Sequence, residues 1–353
     1  MIITIVVFIL ILSLLVFVHE LGHFVVAKFL GIRVEEFGFG LPPRLWGKKF
    51  GETIYSLNWL PIGGFVKLAG EDETPHSTLH TPNAKLRHLF WARSKKERSA
   101  VLLAGVSMNF LLALGILSFV FSQGVGARIE RVIPGAPAEL AGIQSGDVIV
   151  AVGNLAILDR MDMVSRVYGN LGQSITLRII HNGEQKEMAI TPRLNPPPDQ
   201  GALGIAFDTS FAGIYYPWYE IPFRSLIWAI GFSLEALRSI AGLLWKLISF
   251  RSIDTTAIAG PIGIAQVTGQ VIGLGFMKVL QFTGILSLNL AVMNILPIPA
   301  LDGGRLLFVV LEKLIGKKVK PRAEALTHQI GMVVLLVLLF LVTVNDVLRI
   351  VKG

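Results

Sequence analysis

No cysteine occurs in the 353 residues. That excludes a disulfide framework and any thiolate metal site, so a metal held by this chain must be bound by imidazole and carboxylate. Charge is also scarce: 16% of residues are Asp, Glu, Lys or Arg against 53% hydrophobic, and mean hydropathy is +0.64. Such a chain is too apolar for a typical soluble protein. Acids are outnumbered, 24 against 32 Lys and Arg, leaving a net charge of +8. In an apolar chain this excess reads as the basic loops of a membrane protein, and nucleic acid is excluded as a partner. No internal repeat is visible, which argues against a transporter built from repeated halves. The first apolar run lacks a basic leader and a small-residue cleavage pattern, so it is expected to remain as a helix.

Four apolar segments, 2–30, 100–121, 279–311 and 327–347, are each long enough to cross a hydrocarbon core, which takes about 20 residues. Basic residues run through the first loop from Arg33, Lys48 and Lys49 to the cluster Arg93, Lys95, Lys96 and Arg98, and a second cluster runs from Lys313 to Arg322. Both loops are expected on the cytoplasmic side and the 124–217 region outside. Segment 225–250 is long enough for a fifth crossing. Its apolar positions Ile227, Ile230, Leu234, Leu237, Ala241, Leu244 and Ile248 form one stripe, with Glu235, Arg238 and Lys246 off it. An interfacial helix is therefore expected there. The Gly-rich stretch 257–277 is left open between dipping into the membrane and packing on the bundle. Residues 126–194 change character, with short β-branched runs at 128–133, 147–152 and 175–180 between Pro and Gly turns, a stiff Pro196-Pro197-Pro198 exit and a closing strand at 202–207. They predict a small soluble domain.

Inside the first apolar segment lies His19-Glu20-Leu21-Gly22-His23. On a helix, His19 and His23 are i and i+4 and project from one face, where they can share a metal ion. Glu20 then stands in place as general base toward a water acidified by the metal. As five letters the pattern is weak, and on an ordinary amphipathic helix it would signify only a solvated surface. Here two imidazoles and a carboxylate lie in an apolar run, where a charged Glu costs roughly 2.5–3.5 kcal/mol and ionisable groups are retained for function. A third ligand is needed. In the third apolar segment, Asn294-Ile295-Leu296-Pro297-Ile298-Pro299-Ala300-Leu301-Asp302-Gly303-Gly304 carries one acid among helix breakers. Broken backbone at membrane depth is tolerated where it lines protein or a wet cavity. Asp302 is either that third ligand or a cap for a helix beginning at Gly303, and the distant histidines favour the ligand.

These two motifs, in this order and on apolar segments, resemble those of the site-2 protease family of intramembrane zinc metalloproteases, most closely its bacterial PDZ-containing branch. The resemblance covers nearly the whole chain. It implies a polytopic α-helical membrane protein with about four transmembrane helices, an inserted extracytoplasmic PDZ-like β/α domain and a membrane-associated β-hairpin. By it, His19, His23 and Asp302 bind Zn2+, Glu20 is catalytic, and Asn294, Pro297 and Pro299 bind substrate. The implied activity is endoproteolysis within or near transmembrane segments, in regulated intramembrane proteolysis of an anti-sigma factor or a signal-peptide remnant. The implied setting is a bacterial inner membrane, with the active site toward the cytoplasm.

The implied organisation is a membrane region over 1–122, the PDZ-like domain over 123–210, an amphipathic linker region over 211–278 and a second membrane region over 279–353. Residues 51–70 read as a hairpin whose strands 53–57 and 65–68 flank Pro61-Ile62-Gly63-Gly64. It resembles the family's re-entrant hairpin, whose edge can pair with an unwound substrate. The run Arg128 to Ile149, with Pro134-Gly135-Ala136-Pro137 and Gly146-Asp147, is similar to a PDZ domain, for which a peptide ligand or a gating role is implied. Gly260-Pro261-Ile262-Gly263-Ile264 is similar to a further family signature, with no chemistry of its own. Expected partners are transmembrane substrates, a PDZ-bound peptide and the lipid bilayer. A PDZ scaffold with a vestigial metal site is the competing class, and it would not need Glu20. His76, His80 and His88 read as solvated, His181 as a hairpin-turn neighbour and His328 as interfacial.

Overall fold

The computed structural model describes residues 2–71, 87–197, 200–208, 213–249, 260–317, 319 and 321–352. His76 and His80 lie outside these residues. The chain divides into two compact units, Leu114–Glu235 and the remainder.

In the larger unit, α1 (Ile2–Phe29) is followed by β1 (Val34–Phe50) and β2 (Thr53–Leu68), and then by α2 (Lys95–Ser122), whose first part, through residue 113, belongs to this unit. Beyond the last residues of α5 (Ile221–Ile248) come α6 (Pro261–Gly273), α7 (Phe276–Ile295), α8 (Asp302–Ile315) and α9 (Pro321–Lys352). Among the described residues, five helices are long and apolar enough to cross a membrane: Ile2–Phe29, Lys95–Ser122, Ile221–Lys246, Phe276–Ile295 and Glu324–Ile350. The third predicted segment, 279–311, is broken where its prolines and glycines lead one to expect, into two helices. Pro297 and Pro299 lack the N–H an α-helix needs, so α7 stops at Ile295 and α8 restarts at Asp302. The stretch from 260 forms α6, packed on α1, α7 and α9.

The hairpin also departs from expectation. The predicted strands 53–57 and 65–68 do not pair with each other. Both flank β1, since Phe37 lies opposite Tyr55 on one side and Val66 on the other. β1 was missed because Pro42-Pro43 and a Lys-rich end hide any alternation. The chain reverses at Gly51, whose φ of +61° suits a residue without Cβ. The rings of Phe17 and Phe24 of α1 pack at a tilt against Phe37, fixing the sheet against the first helix. A buried ion pair joins Arg98 of α2 to Glu312 of α8.

The smaller unit is built on a sheet of order β7-β6-β4-β3-β8, from β3 (Ala127–Val132), β4 (Val148–Val152), β6 (Ile175–His181), β7 (Glu184–Ile190) and β8 (Ile205–Phe207). A short β5 (Leu155–Ala156) pairs with β4. The predicted closing strand is β8, antiparallel to β3. Besides the one-turn α3 (Pro137–Leu140), helix α4 (Arg160–Tyr168) covers the sheet. It is capped by Asp159, whose carboxylate accepts from Met161 and Asp162 N–H. Ile129, Ile149, Met163, Leu177 and Ile179 form a closed apolar core. His181 is more than a turn neighbour, because its Nδ1 lies 2.7 Å from the buried Asp147 carboxylate.

Candidate metal centre

Helical spacing places both α1 imidazoles on one face, and both are buried, at 7% and 6% exposure. Their Nε2 atoms lie 3.2 Å apart. Asp302, the first residue of α8, brings Oδ2 to 2.9 Å from His19 Nε2 and 3.2 Å from His23 Nε2. The three ligand atoms fall within 4.8 Å of one another, the one such triplet among the described residues.

The donor set fits a cation. His23 Nδ1 is 2.8 Å from the Val101 carbonyl, an acceptor only, so Nδ1 carries the hydrogen and Nε2 presents a lone pair. Asp302 Oδ2 is buried without a hydrogen-bond donor. Lone pairs of the His23 imidazole and the Asp302 carboxylate therefore converge beside His19 Nε2, an arrangement that a metal ion satisfies. Two histidines and one carboxylate, with room for water beside them, are the ligand type of a catalytic zinc site.

The spacing of Gly303 and Gly304 has a steric cause. A Cβ at Gly303 would stand 2.1 Å from the Leu296 carbonyl oxygen, and one at Gly304 2.3 Å from that of Ile298. Without these methyls α8 folds back onto the broken end of α7, which swings Asp302 to the histidines.

Glu20 stands beside the triplet, on the next residue of α1. Its Oε2 accepts the Val66 N–H of β2 at 3.0 Å, which ties the carboxylate to the hairpin. Glu20, His19, Asn294, Ala300 and Asp302 line one cavity of about 240 Å3. The Asn294 amide is 3.5 Å from His19 Nδ1. Pro297 and Pro299 form the break and not the cavity wall.

Sequence reasoning predicted α2 as an apolar helix but missed its part in the site. The Asn109 amide, fully buried, lies 3.3 Å from His19 Nδ1. A Cβ at Gly105 would fall 2.4 Å from His23 Nε2 and 2.7 Å from His19 Cε1. Gly105 and Asn109 are i and i+4, the spacing that would have put both on one face. His88, expected to be solvated, is exposed but lies 3.0 Å from the Gly31 carbonyl. His328, expected at an interface, accepts the Ala300 N–H at 2.9 Å.

The model of peptidase family M50 matches residues 7–338. A zinc metalloprotease RasP of Oceanobacillus iheyensis is 29% identical, with 98% of this chain and 99% of the relative covered. Putative zinc metalloproteases of Clostridium acetobutylicum and Clostridium perfringens are 32% and 33% identical, over 97% and 95% of this chain and 97% and 96% of theirs. The donor set, the break that delivers Asp302 and this near full-length similarity lead to one conclusion: the chain belongs to peptidase family M50, the site-2 protease family of zinc metalloproteases.

Proposed function

We propose that the chain is an intramembrane endopeptidase that hydrolyses peptide bonds within or near the transmembrane segments of membrane proteins. One observation carries this reading: His19 and Asp302 of the donor set share a cavity with Glu20, with His23 Nε2 3.2 Å from Asp302 Oδ2, and helices of membrane-spanning length supply most of the cavity wall. His19, His23 and Asp302 hold the zinc. When bound, zinc lowers the pKa of water and polarises a carbonyl. Glu20 accepts the proton of the attacking water and returns it to the leaving amine, so that the C–N bond breaks with no net proton change. Asn294, beside the Pro297 and Pro299 break, binds the substrate backbone at the cavity mouth.

A helical substrate hides its peptide groups in i to i−4 bonds and must unwind before cleavage. The β2 end 64–68, at one side of the sheet, supports a route. An unwound segment added there keeps its backbone paired in an apolar setting. Ser13 Oγ donates to the Pro61 carbonyl at 2.6 Å. Ser13 lies 16 residues, ~24 Å of helix, from the α1 end at Phe29, so the hairpin bend reaches deep along α1 in the manner of a re-entrant element. Leu45, Trp46, Trp59 and Leu60 on this hairpin are exposed, as lipid-facing side chains would be.

Residues 123–210 are read as a PDZ-like domain. Its edge strand β8 and helix α4 border a small groove lined by Met163, Val167, Leu203 and Ile205, a setting for an extended peptide that would gate access to the membrane site. Residues 211–278 are the interfacial linker, with 1–122 and 279–353 as membrane regions. Ile227, Ile230, Leu234 and Leu244 of α5 are exposed, which supports that helix lying with its apolar stripe in lipid, and hence four crossings. The basic loops support the active site lying toward the cytoplasm with the PDZ-like domain outside, and the bacterial relatives support an inner membrane. The role is regulated intramembrane proteolysis, on a trimmed anti-sigma factor or a signal-peptide remnant.

The test is cleavage of a panel of single-span substrates by the detergent-purified protein, wild type against Glu20→Gln, with zinc measured in both. Zinc in both and cutting by wild type alone is expected. Equal cutting by Glu20→Gln would return the chain to the scaffold class.

A further inference from the structure

Most of α9 exposes its apolar side chains, but one face near its start meets the backbone that delivers Asp302. His328 Nδ1 accepts the Ala300 N–H at 2.9 Å. Three residues along the same face, Gly331 allows Pro299 to seat against the helix, since a Cβ there would come within 2.3 Å of Pro299 Cβ. The His328 ring also packs on Phe308 of α8, centroids 5.7 Å apart. Ala300 itself has φ +78°, in the left-handed region. A residue with a Cβ stays in that conformation only where its surroundings hold it there. Its neighbours are already committed, Leu301 N–H bonding the Ile298 carbonyl at 3.2 Å, and the imidazole receives the remaining N–H.

Because a backbone N–H can only donate, His328 Nδ1 must present a lone pair and Nε2 the hydrogen. Nε2 is buried without a partner. The ring is thus held in an arrangement whose polar use is the loop two residues ahead of Asp302.

We infer that His328 is a positioning residue for the metal centre: by accepting the Ala300 N–H, with Gly331 admitting Pro299, it locks the left-handed turn that aims Asp302 at His19 and His23. This makes the C-terminal helix α9 part of the site. The inference rests on the triplet holding zinc, as proposed above.

The full-length protein in detergent tests it with three variants. His328→Asn places an amide oxygen where Nδ1 stands, His328→Gln places it one bond farther, and His328→Phe fills the space without an acceptor. Two readouts are taken, the rate of zinc transfer to a chromogenic chelator and the kcat and KM for a single-span substrate. His328→Phe and His328→Gln are expected to weaken zinc retention and lower kcat by about 10–100-fold, the usual range for a lost ligand-orienting contact, with KM little changed. His328→Asn is expected to restore both.

Wild-type zinc retention in His328→Phe would overturn the inference. So would equal behaviour of the Asn and Gln variants, a comparison that survives if the Phe variant fails to fold. His19→Ala serves as the separate check on the triplet. If it retains zinc as wild type does, the ligand assignment fails, whatever His328 does.

Discussion

Replacing Gly105 by alanine adds one methyl group where α2 crosses the two imidazoles. On the present backbone that carbon would lie 2.4 Å from His23 Nε2 and 2.7 Å from both His19 Cε1 and His23 Cε1. Heavy atoms in non-bonded contact settle near 3.5 Å, so about 1 Å of movement must come from the rings or from α2. Neither has slack. His23 Nδ1 is fastened to the Val101 carbonyl four residues before Gly105 on the same helix, so moving α2 drags the ring's own anchor. Metal–ligand distances tolerate roughly 0.2 Å, and a misplacement of about 1 Å at a reacting centre costs about 100-fold in rate, or ~2.7 kcal/mol.

Helix propensity points the other way, since Gly→Ala within a helix gains roughly 0.5–1 kcal/mol. The sign of the effect therefore separates the two accounts. Gly115→Ala on the same helix, where a Cβ meets nothing within 4 Å, is the control and should be neutral or slightly stabilising. The assay is zinc content and cleavage of a single-span substrate, with thermal unfolding to confirm folding. A Gly105→Ala protein that binds zinc and cuts like wild type would refute the packing argument.

The buried Arg98–Glu312 pair offers a second test: Arg98→Met should destabilise the detergent-solubilised protein by ~3–5 kcal/mol through the orphaned Glu312 carboxylate, and adding Glu312→Leu should recover most of the loss. Thermal unfolding of the single and double variants reads it, and a double variant as unstable as the single would count against it. Asn109→Leu should weaken zinc retention by about 10–100-fold with the fold intact, because His19 loses its Nδ1 partner. Competition with a chelator measures it, and unchanged retention would mean that the amide only fills space.

Local chemistry made part of this site readable. His19, Glu20 and His23 needed only the helical repeat, because an apolar run with i, i+4 imidazoles leaves few other uses for them. Asp302 was readable because prolines and glycines announce a break wherever they fall. The membrane class followed from hydropathy, and the main strands of the smaller unit from β-branched runs between Gly and Pro turns.

Tertiary packing decided the rest. The i, i+4 spacing puts Gly105 and Asn109 on one face of α2, but whether that face meets the imidazoles depends on the helix opposite. The Val101 carbonyl that fixes the His23 tautomer is a backbone atom and leaves no letter at all. β1 pairs on both sides with segments whose order is set by where the chain bends, and His328 acquires its task from a turn 28 residues away. Sequence by itself determined the candidate ligands and the apolar character of the helices that carry them, because those depend on each residue and its near neighbours. The structure alone decided what holds those side chains still, because that depends on atoms brought together from distant parts of the chain.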